Sequence, residues 1–283
     1  MRQICFLSMD ELGSFVSDDE LAIAPLRDLG FAVSTLSWRQ TELDWGDFEA
    51  VIIRTPWDYQ TEPLAFLDVL TSIDQSPARL ENPLDIVRWN LDKEYLREMD
   101  EKGARIVPTI WNPPSEVLEF GAWQRELGTS ELIIKPTVSA TAEHTYRLTG
   151  HDPQIEAVFS ERPFMVQPFM ARIVDEGEFS LFYFNGEYSH AINKSPKIND
   201  FRVQEEHGGI ITSVEPDEQL HTVARETIAM IGRDLLYARV DFVRDNGGNY
   251  CLMELELIEP ALYLRTNAAA PQRFASAVAE MLQ

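Results

Sequence analysis

The sequence predicts an α/β fold with α+β portions, and three observations carry that expectation. Short apolar runs alternate with helical patterns over the first 80 residues, which implies a parallel sheet. From Ile106 onward the strand-like runs follow one another more closely, with shorter helices between them. Near the C-terminal end Asp245-Asn246-Gly247-Gly248-Asn249 separates two apolar runs and marks a hairpin turn. A chain of 283 residues suggests about two domains and a large core.

In order, Ile4–Leu7 reads as a strand, Glu20–Leu29 as a helix ended by Gly30, and Phe31–Leu36 and Ala50–Ile53 as further strands. Thr61 is placed to cap a helix carrying Pro63 in its first turn. Asn90 is placed to cap a helix over Leu91–Lys102, closed by Gly103, with Lys93 in its first turn. A lysine there opposes the helix dipole, so an external anion is expected to compensate it. Strands follow at Ile106–Ile110, Glu131–Lys135, Phe164–Gln167, Glu178–Phe184 and Glu187–Ala191, with a helix at Val117–Leu127. A helix over Asp217–Leu235 precedes the strand pair Ala238–Arg244 and Tyr250–Ile258. Mixed sheets with packed helices are the expected result, with no internal repeat and no visible linker.

The charge balance narrows the function classes. Forty-seven acidic residues against 24 basic give a net charge of -23, which repels a phosphate backbone and anionic lipid alike. No nucleic-acid or membrane partner is expected. The apolar content of 45% excludes disorder, and Cys5 and Cys251 form neither a disulfide framework nor a thiolate metal motif. No apolar run reaches the roughly 18 residues that a membrane span needs, and Met1–Asp10 lacks a signal-peptide pattern. A cytoplasmic protein is expected, and a homodimer is the commonest assembly for such a chain. P-loop, Rossmann and G-x-S-x-G motifs are absent, and the five histidines lack zinc-ligand spacing.

The hairpin carries the chemistry. If Gly247-Gly248 forms a two-residue turn at positive φ, residue 246 faces 249 and Asp241 faces Glu254, about 5 Å apart. Alternation puts Arg239 and Glu256 on that face and turns Phe242, Leu255 and Leu257 away. Acids directly opposed destabilise a sheet unless a cation intervenes; oxygen-only ligands favour Mg2+ or Mn2+. The alternative is a solvated acidic face on which Arg239 neutralises Glu256. A second cluster is Ile133-Ile134-Lys135-Pro136 followed by Thr137 to Thr141, small residues suited to phosphate oxygens, or simply a strand end at the surface. In Phe164–Met170 the Pro168 break leaves either an extended segment offering backbone groups to a base edge, walled by Met165 and Phe169, or an ordinary buried strand.

The order of these pieces resembles the ATP-grasp superfamily, and most closely its branch similar to prokaryotic glutathione synthetase, over about residues 80–265. The resemblance implies an ATP-grasp region at 81–283, with a central part near 105–170 and a C-terminal part near 171–283. It implies a small parallel-sheet domain before the grasp at 1–80. Lys93 and Lys135 match the two phosphate-holding lysines, Met165–Phe169 with Gln167 and Pro168 the adenine hinge, and Glu178 the ribose acid. Arg202 matches the arginine facing the transferring phosphate, and Asp241, Glu254 and Glu256 the metal ligands. Two departures stand out: Glu256 occupies a position where the superfamily often has Asn, and Thr137–His144 lacks glycine, so hydroxyls of Ser139 and Thr141 are expected to replace backbone contacts to phosphate. Arg54-Thr55-Pro56-Trp57-Asp58-Tyr59, Phe201–Gln204 and Glu256–Pro260 resemble a subgroup that includes the cyclo-ligase closing O-ureido-serine into cycloserine.

The implied activity is carboxylate activation by Mg-ATP, with two Mg2+ ions and Mn2+ as the alternative metal. An acyl phosphate of an amino acid or small peptide then yields to an amine, so small-molecule carboxylate and amine substrates are expected. Phosphorylation without ligation, and ATP binding without catalysis, are the competing readings. Arg54 follows a strand end, where open α/β sheets place ligands. It either holds a substrate carboxylate between Trp57 and Tyr59 or pairs with Asp58 in a structural turn. Lys194, Lys197 and Arg202 make a locally basic stretch, from which Lys194, together with Arg239, is a further substrate candidate.

Overall fold

The computed structural model describes residues 1–41, 43–113, 119–139, 142–160, 162–198 and 200–283. Among these the strands form three sheets. The first is wholly parallel and is built from β1 (Arg2–Ser8), β2 (Phe31–Ser37), β3 (Ala50–Thr55) and β4 (Arg79–Glu81), in the order β2-β1-β3-β4. Parallel neighbours need crossovers, which α1 (Glu20–Asp28) and α2 (Pro63–Asp74) supply. Every residue of β3 is buried, as in a strand covered on both faces. The three expected strands are present; β4 was missed because its three residues are mostly charged and too short for a pattern. Thr61 does not cap α2. It ends a 3₁₀ turn, Tyr59–Thr61, and its hydroxyl donates to the Asp58 carbonyl at 2.9 Å.

Helices α3 (Leu84–Asn90) and α4 (Tyr95–Glu101) replace the single helix expected over Leu91–Lys102. Asn90 is the last residue of α3 rather than a cap, because its side chain is engaged elsewhere. The second sheet, in the order β5-β8-β6-β7, comprises β5 (Ile110–Trp111), β6 (Leu132–Pro136), β7 (Tyr146–Leu148) and β8 (Phe164–Pro168), all antiparallel. Pro108 explains why the expected strand Ile106–Ile110 shrinks to β5 and one bridge, Ile106 to Leu252. α5 (Phe120–Leu127) and α6 (Pro153–Phe159) share a core with this sheet through Phe120, Trp123, Ile155 and Phe159. Val117 and Leu118, where the expected helix begins, lie outside the described residues.

The third sheet, in the order β11-β10-β9-β12-β13, is also antiparallel, so no sheet among the described residues is mixed. It follows α7 (Arg172–Asp175) and consists of β9 (Glu178–Phe184), β10 (Glu187–Ser195), β11 (Ile210–Ser213), β12 (Tyr237–Arg244) and β13 (Tyr250–Glu256). Between β11 and β12 lies α8 (Glu218–Ile231), which Asp217 caps by accepting from the Leu220 amide at 2.8 Å. Gly232, at φ +70°, stops it short of the expected Leu235. The C-terminal α9 (Ala270–Met281) belongs to no expected element. It packs on α1, and Phe274 lies 6.3 Å from Phe6, so one core runs from β1 through α9 to β9 and β12.

Candidate active site

The β12–β13 hairpin forms the floor of a cavity whose opposite wall is the second sheet. Asp241 pairs with Glu254 and Arg239 with Glu256, as expected, but by a different route. Arg244 pairs with Tyr250, and the Asp245 amide donates to the Asn249 carbonyl at 2.9 Å, so the loop holds three residues, Asn246, Gly247 and Gly248. Of the two glycines only Gly248 has positive φ, at +84°. That register alone would oppose Asp241 to Met253 and turn Glu254 into the core. A bulge absorbs Met253 between the Asp241–Glu254 and Phe242–Leu252 pairs and returns both glutamates to the cavity face. The neighbouring segment pins it: the Leu252 amide donates to Arg105 at 2.7 Å, and the Val107 amide to Leu252 at 3.2 Å.

Lys93 lies in the turn between α3 and α4. The Asn90 side chain bonds the Leu255 carbonyl (3.0 Å) and the Leu257 amide (2.9 Å), while the Tyr95 hydroxyl bonds both backbone groups of Leu255. These anchors satisfy the free edge of β13 and hold the turn against it. Lys93 Nζ thereby comes within 3.0 Å of Glu254 and 2.6 Å of the Ser139 carbonyl. With no helix start at Lys93, the dipole argument for an external anion does not apply; Glu254 is its counter-charge. Lys135, buried at the end of β6, lies 4.0 Å from the Met253 sulfur. Burial lowers its pKa to about 8 against the pull of Glu254. Burial also pushes the Glu254 carboxyl up, but Lys93 and Lys135 outweigh it and leave the group below its ordinary value.

Behind Glu254 the charges are already paired. Lys194 Nζ sits 2.5 Å from Glu178 and 3.0 Å from Asp241, and Arg239 donates to both oxygens of Asp241 and to Glu256. Burial raises Asp241, yet Arg239 and Lys194 hold it well below the usual carboxylate range. Burial lifts Glu256 to about 7 in spite of Arg239. Lys194 and Arg239 line the cavity, but their charges are committed to these acids.

On the nucleotide side of the expected site, Gln167, Pro168, Phe169, Glu178 and Ser139 all line the same cavity. The Phe169 amide donates to Glu131 at 2.9 Å, the Arg147 guanidinium stacks on its ring at 3.6 Å, and Phe201 meets it edge-on. Met165 is fully buried and forms no cavity wall; Met170 and Ile173 do so instead. Ser139 presents its carbonyl to Lys93, whereas Thr141 lies outside the described residues. Arg202 lines the cavity, forked on Asp200 at 3.2 and 3.0 Å, with about a third of its side chain exposed (36%).

Arg54, like Met165, does not line the cavity. Its guanidinium is buried over the Tyr237 and Phe274 rings and bonds Asp19 (3.1 Å) and the Pro260 carbonyl (2.9 Å). It does not pair with Asp58, which takes Arg39 and the Trp38 indole. Trp57 and Tyr59 do line the cavity, with Phe15, Tyr263 and Glu259. Of these, Phe15, Tyr263 and Glu259 were missed as cavity residues: the first is separated from the motifs by a polar loop, and the strand pattern ended before the others. For Glu259 the string Glu256–Pro260 was the available signal.

The described residues contain no group of three His, Cys, Asp or Glu side chains arranged to hold a metal ion, so Asp241, Glu254 and Glu256 share a face without forming a closed site. Glu254 and Glu256 are 28% and 30% exposed. Two accessible carboxylates suit Mg2+, which keeps waters and phosphate oxygens for most of its shell. No helix among the described residues is long and apolar enough to cross a membrane.

Comparison with known proteins places this site in a lineage. Residues 4–82 match the family model described as the N-terminal domain of D-cycloserine synthetase DcsG. The chain is 31% identical to the cycloserine biosynthesis protein DcsG of Streptomyces lavendulae over 287 residues, covering 91% of each. The crystal structure of D-cycloserine synthetase DcsG superposes with a TM-score of 0.83 at 27% identity, over 99% of this chain and all of that one. Glutathione synthetase of Prochlorococcus marinus (strain MIT 9313) is 27% identical over 171 residues, covering 58% of this chain and 53% of that protein. The ATP-grasp ligase PsnB, solved with Mg and ADP, shares the fold with a TM-score of 0.67 at 16% identity, over 99% and 98% of the two chains. The chain therefore belongs to the family of the cycloserine biosynthesis protein DcsG, within the glutathione synthetase-like branch of the ATP-grasp ligases.

Proposed function

We propose that this ligase joins a small-molecule carboxylate to an amine-type nitrogen through an acyl phosphate. The finer reading, drawn from the likeness to DcsG, is ring closure within one O-ureido-serine-like amino acid. One observation carries the proposal: Lys93, Lys135 and Arg202 share a single cavity with the acidic face of the hairpin and the 167–169 hinge. On this reading residues 1–80 precede the grasp, and its central and C-terminal parts lie at about 105–170 and 171–283.

The cavity's five cationic side chains, Lys93, Lys135, Lys194, Arg202 and Arg239, face six carboxylates, Glu178, Glu206, Asp241, Glu254, Glu256 and Glu259. A bound triphosphate, adding about four negative charges, therefore needs extra cations. Two Mg2+ ions, or Mn2+, held by Glu254 and Glu256 with Asp241 behind them, would supply that charge and polarise the γ-phosphate. Lys93 and Lys135 hold the phosphates, and binding favours the charged form of Lys135. Gln167, Pro168 and Phe169 hold the base, Glu178 the ribose, and the Ser139 segment covers the phosphates. Arg202 neutralises the transferring phosphoryl group. The substrate carboxylate oxygen attacks the γ-phosphorus as the bond to ADP breaks; the nitrogen then attacks the acyl carbon, loses a proton and expels phosphate. No side-chain nucleophile is required.

The test is ADP and phosphate release with carboxylate–amine pairs and with O-substituted serines, in the presence and absence of hydroxylamine. A ligase yields a hydroxamate with hydroxylamine and an amide or ring without it. A stable phosphorylated product would mean a kinase, and saturable ATP binding with no ADP formation a regulatory protein.

A further inference from the structure

The hinge residue Gln167 is held by a side chain that does not itself line the cavity. Gln167, near the end of β8 and only 2% exposed, lines it, and its Nε2 donates to the Thr109 hydroxyl at 2.9 Å. That hydroxyl has one hydrogen, which it donates to the Val107 carbonyl at 2.7 Å, so toward Gln167 it can only accept. Val107 is fully buried, and its amide is pinned to Leu252 of the hairpin. Turning the hydroxyl over to Gln167 would cost a buried carbonyl the partner that Thr109 gives it. The Gln167 amide is thus locked in one of its two orientations, with its nitrogen toward Thr109. Its Oε1 accepts no hydrogen bond among the described residues and is not one of their enclosed polar atoms, so it opens onto the cavity as a bare acceptor.

We propose that Thr109 determines which purine the cavity accepts: by fixing the Gln167 amide it presents an acceptor, and withholds a donor, at the 6-position of the base. This deepens the ligase reading and rests on its placement of the base at residues 167–169. An acceptor there takes a hydrogen from the 6-amino group of adenine and opposes the 6-oxo group of hypoxanthine or guanine, whose lone pairs face its own. Pro168 has no N–H, and the Phe169 amide is engaged by Glu131, so neither supplies the donor that a 6-oxo purine needs. Thr109 is a positioning residue: it acts through Gln167 and touches no nucleotide. Because Val107 is bonded to Leu252, the lock is anchored on the same strand pair that carries Asp241 and Glu254.

The test is calorimetric binding of ADP and of IDP, each with Mg2+, to the whole chain as wild type, Thr109→Val and Thr109→Ser. IDP differs from ADP in its 6-oxo group and the N1 proton that accompanies it. Wild type should bind ADP about tenfold more tightly than IDP, or better. Thr109→Val keeps the bulk and removes the hydroxyl, so the amide is free to turn its nitrogen to the base. The preference should then fall to within about threefold, chiefly through tighter binding of IDP. Thr109→Ser restores the hydroxyl and should keep the wild-type ratio, whereas mere loosening of the fold weakens both nucleotides alike and leaves the ratio unchanged. An unchanged ratio in Thr109→Val, a Thr109→Ser variant that loses the preference equally, or a wild type without preference overturns the proposal and leaves the nucleotide reading standing. A wild type that binds neither ADP nor IDP sinks both.

Discussion

Lys194 is nearly inaccessible, and it is the ion-pair partner that the described residues give Glu178 and one of two given Asp241. Replacing it with methionine keeps the stem's bulk and removes the charge. Asp241 retains Arg239, but Glu178 is left as a buried carboxylate with no cation. Breaking a buried pair in this way costs about 3–5 kcal/mol. At roughly 2–4 °C per kcal/mol for chains of this size, Tm should fall by roughly 6–20 °C. Burial already holds the Glu178 pKa above its ordinary 4.5, and losing Lys194 raises it further. In the unfolded chain the group titrates near 4.5, so the folded variant takes up the proton more readily. The deficit is therefore complete above the folded pKa and shrinks as pH falls toward 4.5. Urea unfolding of wild type and Lys194→Met at pH 7.5 and 5.5 checks this, with the double variant carrying Glu178→Gln expected to recover much of the loss at pH 7.5. A deficit under about 1 kcal/mol, or one equal at both pH values, would mean that water reaches Glu178 and would refute the buried-pair reasoning.

Glu254→Gln removes a carboxylate facing Lys93 and the phosphate region; kcat should drop below a tenth of wild type while circular dichroism shows the fold intact. Gly248→Ala places a Cβ at φ +84° with open space around it, so its cost is backbone strain alone, about 1–2 kcal/mol by denaturant unfolding. His190 is buried against Phe182 at 4.3 Å, and burial lowers its pKa from 6.5 to about 4 although the Leu262 carbonyl pulls the other way. The unfolded chain then binds the proton more readily, so this stability is present above pH 6.5 and lost as pH falls toward 4. It is worth at most about 3 kcal/mol, and the stability difference between wild type and His190→Phe should shrink by that order between pH 7 and 4.

The hairpin shows how a sequence can lead to the right face through a wrong detail. Asp245 to Asn249 announces a turn, and Asp241, Glu254 and Glu256 were legible as one face. Two details were not: the loop has three residues instead of two, and the bulge at Met253 adds one more. The two displacements cancel. A bulge leaves little trace in an apolar run, since Leu252, Met253 and Leu255 read equally well with either face inward, and what fixes it is the distant segment Arg105–Val107. Lys93 was legible as a phosphate candidate only through resemblance; its local helix was misplaced because Asn90 looks like a cap when read locally. In the fold that side chain serves the edge of β13, a partner 165 residues away. The C-terminal helix went unread because its apolar residues are largely alanines, which signal helix weakly by periodicity yet pack closely on α1.

Arg54 makes the same point about charge. A fork-shaped cation at a strand end looks like a substrate clamp, and in most open α/β sheets the strand end is where a ligand sits. Here the crevice above β3 is filled by the chain's own segment Ile258–Pro260: Tyr237 donates to the Ile258 carbonyl at 2.8 Å and lies close to that of Ile53, while Arg54 takes the Pro260 carbonyl. A backbone segment occupies the place of a ligand and is bonded as one would be. The first sheet accordingly contributes to the cavity through the rigid loop that follows β3, by fixing the 258–260 backbone and so the direction in which Glu259 points. A buried arginine is well suited to that task, since its planar fork holds two backbone or carboxylate oxygens at once and stays charged when desolvated. The first sheet and the loop after it are thus coupled to the segment that follows β13 by side-chain-to-backbone bonds.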